Sequence, residues 1–218
     1  MTTARIQVTG HESEGDGEVG ERIALHTDQG DIGCLLLPAP GATAAVIWSG
    51  SWATYGGQER VSPITRSVSA DLQADGISSL IVRYRKSREL PAAARDTEAG
   101  VLFLQEQGYQ RIAVVGHSFA AAVAITAGEA CSGVNAVVAL ASQTYGARPA
   151  AYLSPKPLLL VHGTEDTRLN VYCSEQIYSW AKQPKELVIM EGASHGLSEC
   201  SDTLFPLLRR WLTEKLAE

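Results

Sequence analysis

Basic residues are scarce in this 218-residue chain: 18 Lys and Arg stand against 24 Asp and Glu, which gives a formal net charge of -6. Binding to DNA or RNA requires clustered positive charge to neutralise phosphates, so the composition argues against a nucleic-acid partner. The apolar runs are all much shorter than the roughly 20 residues that a membrane-spanning helix needs, and no membrane partner is expected. The N-terminal sequence MTTARIQVTG lacks the apolar segment of a secretory signal, which predicts a cytoplasmic protein.

Cysteine is also sparse, and the four residues are far apart at Cys34, Cys131, Cys173 and Cys200. No CxxC pair occurs, and no histidine stands at the spacing of a metal ligand. A disulfide framework and a zinc site are therefore not expected. In a reducing compartment we expect four free thiols, several of them buried as small hydrophobic groups.

The remaining composition is that of a globular protein, with 45% hydrophobic and 19% charged residues. No repeat or long linker divides the chain, which predicts a single domain over residues 1–218. Residues 1–20 differ from the rest, because the stretch from His11 to Glu21 carries five carboxylates and three glycines. This composition predicts that residues 1–20 form a flexible acidic arm.

From Glu21 onward, short apolar strands alternate with helical segments. ERIALHT and GCLLLP, joined by DQGD, predict an antiparallel hairpin. Six further runs rich in Val, Ile and Leu are typical of parallel strands buried on both faces, at 44–50, 77–84, 111–117, 135–142, 156–163 and 185–192. Helices are predicted between them, at about 62–74, 91–107, 118–130, 171–182 and 202–217. The order predicts an α/β fold: an open, mostly parallel twisted sheet of about eight strands with helices on both faces.

A candidate nucleophile lies where one predicted strand meets a helix. The run RIAVV is followed by Gly116-His117-Ser118-Phe119-Ala120 and then by the Ala-rich segment AAVAITAGEA. A strand, Gly-x-Ser-x-small residue and helix in this order indicate a nucleophile elbow, in which a sharp turn lifts Ser118 above the sheet. The small residues allow strand and helix to approach closely, although Ala120 stands where glycine is usual. The alternative is that Ser118 is an ordinary helix N-cap.

A serine nucleophile needs a base, and the base needs a third group that orients it. An elbow predicts that an acid and then a histidine follow, each after a later strand. Asp166 follows the strand PLLLV and His195 follows ELVIM, so both residues occur in the required order. Glu165 is the competing candidate for the acid, and its alternative interpretation is a solvated turn carboxylate. His117 and His162 are interpreted as packing residues.

These motifs resemble those of the α/β-hydrolase superfamily, and especially its compact, lidless members such as dienelactone-hydrolase-like proteins and small carboxylesterases. GHSFA is similar to the family's elbow, HGTEDTRL to its acid loop and GASHG to its histidine loop. The resemblance covers nearly all of the chain after Glu21. It implies that Ser118 attacks the acyl carbon, His195 takes its proton and Asp166 orients the imidazole. Only about fifteen residues separate Ser142 from Leu158, so no cap domain is expected.

The resemblance also implies an oxyanion hole made of backbone N–H groups. One donor would be the N–H of Phe119, and the second would come from Ser51, or from Trp52 if the loop register shifts by one residue. Trp52 and Tyr55 are candidate walls of the substrate pocket. The basic loop at 83–88 either binds an anionic part of the substrate or is a solvated loop paired with surface carboxylates, and the second interpretation is favoured.

Two functions from different classes are carried forward. The first is a serine hydrolase that cleaves a carboxylic ester or thioester through a covalent acyl-enzyme. The second is a non-catalytic or receptor-like protein of the same fold that binds a small molecule. A peptidase is a third possibility, but such enzymes generally carry an additional domain. The proposed chemistry needs no cofactor and no metal, and the expected partner is a small-molecule ester, bound by a monomer or homodimer.

Overall fold

The fold is described for residues 5–17, 19–55, 58–86 and 88–217, in a computed structural model. Eleven strands lie within these residues: β1 (Val8–Asp16), β2 (Glu21–Thr27), β3 (Ile32–Leu37), β4 (Ala44–Ser49), β5 (Trp52–Tyr55), β6 (Gln58–Val61), β7 (Ser78–Val82), β8 (Arg111–His117), β9 (Val134–Leu140), β10 (Leu158–Gly163) and β11 (Lys185–Met190). Nine of them form one sheet, in the order β1-β2-β3-β7-β4-β8-β9-β10-β11. Strands β5 and β6 form a separate two-stranded hairpin.

The sheet is parallel through most of its width. The six strands from β7 to β11 in the spatial order are paired in parallel, whereas β1, β2 and β3 add an antiparallel part at one edge. The sequence prediction of an antiparallel hairpin followed by a mostly parallel sheet is confirmed. Strands β4, β7, β8 and β10 are buried almost throughout because helices cover both faces of the sheet, as their continuous Val, Ile and Leu content indicates. The edge strand β11 is only partly buried.

Five α-helices lie within the described residues: α1 (Pro63–Ala74), α2 (Leu90–Glu106), α3 (Phe119–Ala130), α4 (Tyr172–Trp180) and α5 (Ser201–Ala217). Helices α1 and α5 contribute to the hydrophobic core on one face, and α2, α3 and α4 to the core on the other. The Ser62 hydroxyl caps α1 by accepting a hydrogen bond from the Thr65 N–H at 3.2 Å, with Pro63 at the first helical position. The two-sided helical cover agrees with the prediction.

The acidic segment near the N-terminus differs from the prediction. Residues Val8–Asp16 do not form a flexible arm but the edge strand β1, which pairs antiparallel with β2. The prediction relied on the lack of apolar side chains, but the pairing is made by backbone groups, and the His11 ring also stacks edge-on against Phe103 with centroids 5.1 Å apart. The carboxylates of β1 face solvent, where charge on an edge strand disfavours pairing with another chain.

Two other features bear on access to the sheet's carboxyl edge. The hairpin of β5 and β6 was not anticipated, and it follows β4 directly. Between β9 and β10 the chain forms only a short 3-10 helix, Arg148–Tyr152, so no cap domain is inserted there, as predicted.

None of the helices in the described ranges is both long enough and apolar enough to cross a membrane. All four cysteines are free thiols, with Cys34 and Cys131 buried.

The topology places a crevice beside β4. The chain leaves β4 for β7 on one side and later returns to β8 on the other, so the order of strands reverses at this point. In open α/β sheets, ligands bind at the carboxyl ends of the strands at such a reversal. Ser49 and Gly116, at the ends of β4 and β8, are register partners, so the loops that follow these two strands begin side by side.

Two glycines allow segments of backbone to approach each other at this edge. A Cβ at Gly116 would lie well inside van der Waals contact with the carbonyl of Ala120, in the first turn of α3. A Cβ at Gly163, the last residue of β10, would meet the carbonyl of Ala193 in the same way. Gly116 therefore allows the sharp connection from β8 into α3, and Gly163 allows the loop after β11 to pack against β10.

A buried ion pair connects the loop after β7 to helix α2. Asp96 is fully buried, and its carboxylate accepts hydrogen bonds from Arg85 Nε at 2.7 Å and from the Arg85 backbone N–H at 2.8 Å. The same guanidinium donates to the carbonyl of Gln29, in the turn between β2 and β3. Arg85 thus joins three elements around the carboxyl edge of the sheet.

We expect Gly116→Ala to lower the free energy of unfolding by about 1–3 kcal/mol, because the added methyl group forces β8 and α3 apart. Urea denaturation followed by circular dichroism measures the change. Gly10→Ala is the matched control, since a Cβ at Gly10 meets only a His26 ring carbon, at 4.0 Å. Equal stabilities of the two variants would contradict the packing described for the elbow.

We expect Asp96→Ala to lower the free energy of unfolding by about 3–5 kcal/mol, because it leaves the largely buried Arg85 charge without its partner. Glu89→Ala is the control: it removes the exposed ion pair between Lys86 and Glu89, whose loss costs about 1 kcal/mol or less. Both values come from urea denaturation. A similar cost for the two variants would show that the Asp96 pair does not hold the loop.

Candidate active site

The three residues predicted as a catalytic set lie side by side at the carboxyl edge of the sheet. Ser118 follows β8, Asp166 follows β10 and His195 follows β11. His195 Nε2 is 3.0 Å from Ser118 Oγ, and His195 Nδ1 is 2.7 Å from Asp166 Oδ2. The acceptor-only carboxylate fixes the direction of these bonds: the imidazole donates from Nδ1 to Asp166, so its Nε2 accepts from the Ser118 hydroxyl.

Ser118 has the backbone conformation of a sharp elbow, with φ 59° and ψ -121°. A positive φ is strained for a residue with a side chain, and the structure holds it there by a hydrogen bond from the Ser118 N–H to the Leu140 carbonyl at 2.8 Å. Its side chain makes no capping bond to α3. The interpretation of Ser118 as an ordinary N-cap is therefore wrong, and the hydroxyl is directed to the imidazole instead.

Asp166 is held by four hydrogen bonds. Its Oδ1 accepts from the N–H groups of Arg168 at 2.9 Å and Leu169 at 2.8 Å, while Oδ2 accepts from His195 and His162. Burial by itself raises the pKa of the Asp166 carboxyl, but the Leu169 N–H, the His195 imidazole and the Arg168 N–H outweigh it and hold the pKa below its ordinary value. Asp166 therefore remains ionised next to His195. Glu165, the competing candidate, is exposed to solvent.

His117 and His162, interpreted from the sequence as packing residues, both make hydrogen bonds within the site. His117 Nε2 donates to the His195 carbonyl at 2.7 Å, and the two rings lie 4.9 Å apart. Burial lowers the pKa of His117, which favours its neutral form. The sequence signal that could have found them is position, since each histidine stands within four residues of a member of the predicted set.

The loop after β4 has a tightly packed start. Gly50 has φ 64°, and a Cβ there would run into the ring of Tyr84. Ser49 is buried and lies 2.6 Å from Tyr84 Oη and 2.7 Å from Thr97 Oγ1. Burial raises the pKa of Tyr84 and keeps the phenol neutral. Ser49 therefore anchors the start of the loop through its hydrogen bonds with Tyr84 and Thr97. The loop backbone from Gly50 onward borders the site.

Two adjoining cavities meet at the elbow. One, of about 780 Å³, is lined by Ser118, Phe119, His195, Gly50, Trp52, Tyr84, Asp31 and three arginines, Arg83, Arg85 and Arg168. The other, of about 1090 Å³, is more apolar, and its lining includes Ser51, Val61, Ile64, Leu140 and Phe205. Gly50, His117 and Ala120 line both cavities. Of the two candidates for the second backbone donor, Trp52 thus borders the cavity that holds Ser118, and Ser51 borders its neighbour.

The remaining predicted residues are placed as follows. Phe119 is the first residue of α3, where helical N–H groups have no partner within the helix, and its ring meets Tyr84 edge-on at 6.2 Å. Trp52 is buried beneath the Arg83 guanidinium, 4.7 Å from the centre of the indole. Tyr55 ends strand β5, and its side chain lies outside the described part of the structure.

Residues of the basic loop at 83–88 fit both interpretations offered from the sequence, a structural loop paired with carboxylates and a wall of the substrate site. Arg85 pairs with Asp96, and Lys86 pairs with Glu89 at 3.2 Å, as expected for a structural loop. Arg83 and Arg85 nevertheless line the cavity at Ser118. A charged wall beside the candidate nucleophile is therefore part of the site, although the Arg85 charge is balanced by a carboxylate.

No model of a known protein family matches the chain. Curated proteins match short segments of the chain: an uncharacterised protein from Pseudomonas aeruginosa is 49% identical over 43 residues, and the uncharacterised protein YfhR from Escherichia coli is 44% identical over 45 residues. These segments cover 20% and 21% of this chain, and the chain spans 11% and 16% of those two proteins.

Solved structures match over nearly the whole chain. Est1E from Butyrivibrio proteoclasticus has a TM-score of 0.75 at 14% identity and covers 90% of this chain and 99% of its own. A dienelactone hydrolase from Anabaena variabilis has a TM-score of 0.75 at 21% identity, covering 98% and 100%. A lidless serine hydrolase from Xanthomonas campestris has a TM-score of 0.65 at 18% identity, covering 90% and 96%. The chain therefore has the α/β-hydrolase fold that its sequence motifs predict.

Proposed function

We propose that this chain is a serine hydrolase that cleaves a carboxylic ester or thioester through a covalent acyl-enzyme. The observation that carries the proposal is the continuous set of hydrogen bonds from Ser118 through His195 to Asp166, at 3.0 and 2.7 Å. A non-catalytic binding protein has no physical need for a strained serine joined to a buried His–Asp pair. The esterase and hydrolase names of the similar structures are consistent with this reading.

In the first half of the reaction, Ser118 Oγ attacks the carbonyl carbon while its proton passes to His195 Nε2. The carbonyl electrons move onto the oxygen, which the N–H of Phe119 and a second N–H from Ser51 or Trp52 would stabilise. The tetrahedral intermediate then collapses: the bond to the leaving oxygen or sulfur breaks, and His195 returns the proton to the departing alcohol or thiol. The acyl group stays on Ser118.

In the second half, a water molecule gives a proton to His195 and attacks the acyl carbon. Collapse of the second intermediate releases the acid and restores the Ser118 hydroxyl with the proton from His195. Asp166 accepts the Nδ1 proton of His195 throughout, which keeps Nε2 available as the acceptor and stabilises the positive charge that develops on the ring. The hydrogen bonds that hold the Asp166 pKa low ensure that the carboxylate does not take this proton itself.

The shape of the site favours a substrate that needs no enclosed apolar tunnel. The cavity at Ser118 has a largely polar lining with Trp52 at one wall, and no cap domain is inserted between β9 and β10 to cover it. Short esters and thioesters of small acids fit this description better than long lipids do. The peptidase alternative gains no specific support from the site.

We expect wild-type protein to react with a fluorophosphonate probe at Ser118 and to hydrolyse p-nitrophenyl acetate and butyrate. Ser118→Ala should lose the adduct and the turnover without losing stability, because the hydroxyl makes no capping bond to α3. Peptide mass spectrometry locates the adduct, and circular dichroism confirms the fold. An adduct at another residue, or turnover by Ser118→Ala, would refute the assignment of the nucleophile.

We expect Asp166→Asn to lower kcat by about 10³- to 10⁴-fold with little change in KM. The amide NH₂ that replaces Oδ2 would force the other imidazole tautomer, in which Nε2 carries the proton and cannot accept one from Ser118. Glu165→Gln is the matched control, because it makes the same kind of change at the neighbouring exposed carboxylate. Steady-state kinetics of both variants decide the matter; a larger loss in Glu165→Gln would show that Glu165 is the acid.

A further inference from the structure

A second histidine contacts the carboxylate that orients His195. His162 lies in β10, four residues before Asp166, and is fully buried. Its Nε2 is 3.1 Å from Asp166 Oδ2 and 2.9 Å from the carbonyl oxygen of Leu169, while its Nδ1 is 2.7 Å from Ser174 Oγ in helix α4. One carboxylate oxygen of Asp166 therefore stands between two imidazoles, those of His162 and His195.

The partners of His162 determine where its proton lies. A carboxylate oxygen and a backbone carbonyl can only accept, so Nε2 must carry the hydrogen and share it between Asp166 and Leu169. In the neutral ring Nδ1 is then an acceptor, and the Ser174 hydroxyl donates to it. A hydroxyl can pair with either tautomer, so Asp166 and Leu169 set the tautomer of His162, and Ser174 anchors the other side of the ring.

This contact completes the constraint on the carboxylate. Two backbone N–H groups, of Arg168 and Leu169, hold Oδ1, but a carboxylate fixed at one oxygen can still tilt its other oxygen. His162 holds Oδ2 from the side of the core, while His195 approaches the same atom from the side of the cavity. The two bonds together fix Oδ2 at 2.7 Å from His195 Nδ1.

We propose that His162 is a positioning residue for the reaction: through its Nε2–H it holds Asp166 Oδ2 in line with His195, and the hydrogen bond with Ser174 anchors its ring to α4. The proposal rests on the proposed function, because it concerns the geometry of the same Ser118–His195–Asp166 set. His162 touches no substrate and takes no proton from it. Its effect reaches the reaction through Asp166 and His195 alone.

His162 also joins β10 to helix α4, and a purely structural role would be served by the same hydrogen bonds. Two substitutions separate the roles. In His162→Gln the side-chain amide reaches the position of Nε2 and can donate to Asp166, but the contact with Ser174 is lost. In His162→Asn the shorter amide reaches only the position of Nδ1, so the contact with Ser174 can remain while the donor to Asp166 is lost.

Since each variant gives up a hydrogen bond of a buried group, similar losses of stability are expected, whereas the effects on catalysis should differ. We expect His162→Asn to lower kcat about 10²-fold with KM unchanged, because Oδ2 is no longer held in place. His162→Gln should retain kcat within about tenfold of wild type, since one donor still reaches the carboxylate. Ser174→Ala should fall between them, because His162 keeps its Nε2–H donor to Asp166 but loses the hydrogen bond that anchors its ring to α4.

The division between kcat and KM, together with rescue by glutamine, supplies a readout that a structural role does not move. A purely structural role predicts that His162→Asn and His162→Gln lose activity together, as they lose stability together. A positioning role predicts that kcat falls in His162→Asn and is largely kept in His162→Gln, with KM unchanged in both.

Kinetics with p-nitrophenyl acetate and fluorophosphonate labelling of wild type, His162→Asn, His162→Gln and Ser174→Ala decide the proposal. A selective loss of kcat in His162→Asn, with KM unchanged and kcat largely kept in His162→Gln, supports it. If wild type labels at Ser118 but the Asn and Gln variants lose kcat equally, the positioning role is refuted and the proposed function stands. If wild type neither labels nor turns over, the proposed function fails and the positioning role fails with it.

Discussion

The buried carboxylate of Asp166 is the interaction on which the geometry of the site depends. An ionised group at this depth is stable only when hydrogen bonds replace its hydration, and four donors do so, two from its own loop and two from histidines. The four donors come from three parts of the chain: the loop after β10, strand β10 itself and the loop after β11. The charge therefore determines where these segments lie relative to one another.

Close backbone approach makes this arrangement possible. Gly116 allows α3 to begin directly above β8, so Ser118 projects from the sheet with a positive φ. Gly163 allows the loop after β11 to pass over the end of β10, which brings His195 to Asp166. His117, next to the nucleophile, then holds the carbonyl of His195 at 2.7 Å. The strained backbone conformation of Ser118 is held in place by packing on one side and by hydrogen bonds on the other.

Much of this could be read from the sequence, because the signals are local. Continuous apolar runs identified the parallel strands, and Ser118, Asp166 and His195 were found because each follows such a run. Strand β1 was missed, since an exposed edge strand made by backbone pairing has no apolar pattern to report. The roles of His117 and His162 could not be read from the sequence. The partner of His117 is the His195 carbonyl, 78 residues away, and one partner of His162 is the Ser174 hydroxyl in α4. Their positions next to Ser118 and Asp166 place both histidines near the site, but which atoms they contact depends on tertiary packing, which spacing along the chain does not encode.

In the proposed reaction, the Ser118–His195–Asp166 set makes the Ser118 hydroxyl the nucleophile that carries the acyl group. The most direct measurement is to mix the protein with p-nitrophenyl acetate, quench with acid within the first turnovers and map the acetylated peptide by mass spectrometry. We expect one acetyl group, on Ser118, in wild type and none in His195→Ala. Turnover without acetyl on Ser118, or the same acetylation in His195→Ala, would contradict it.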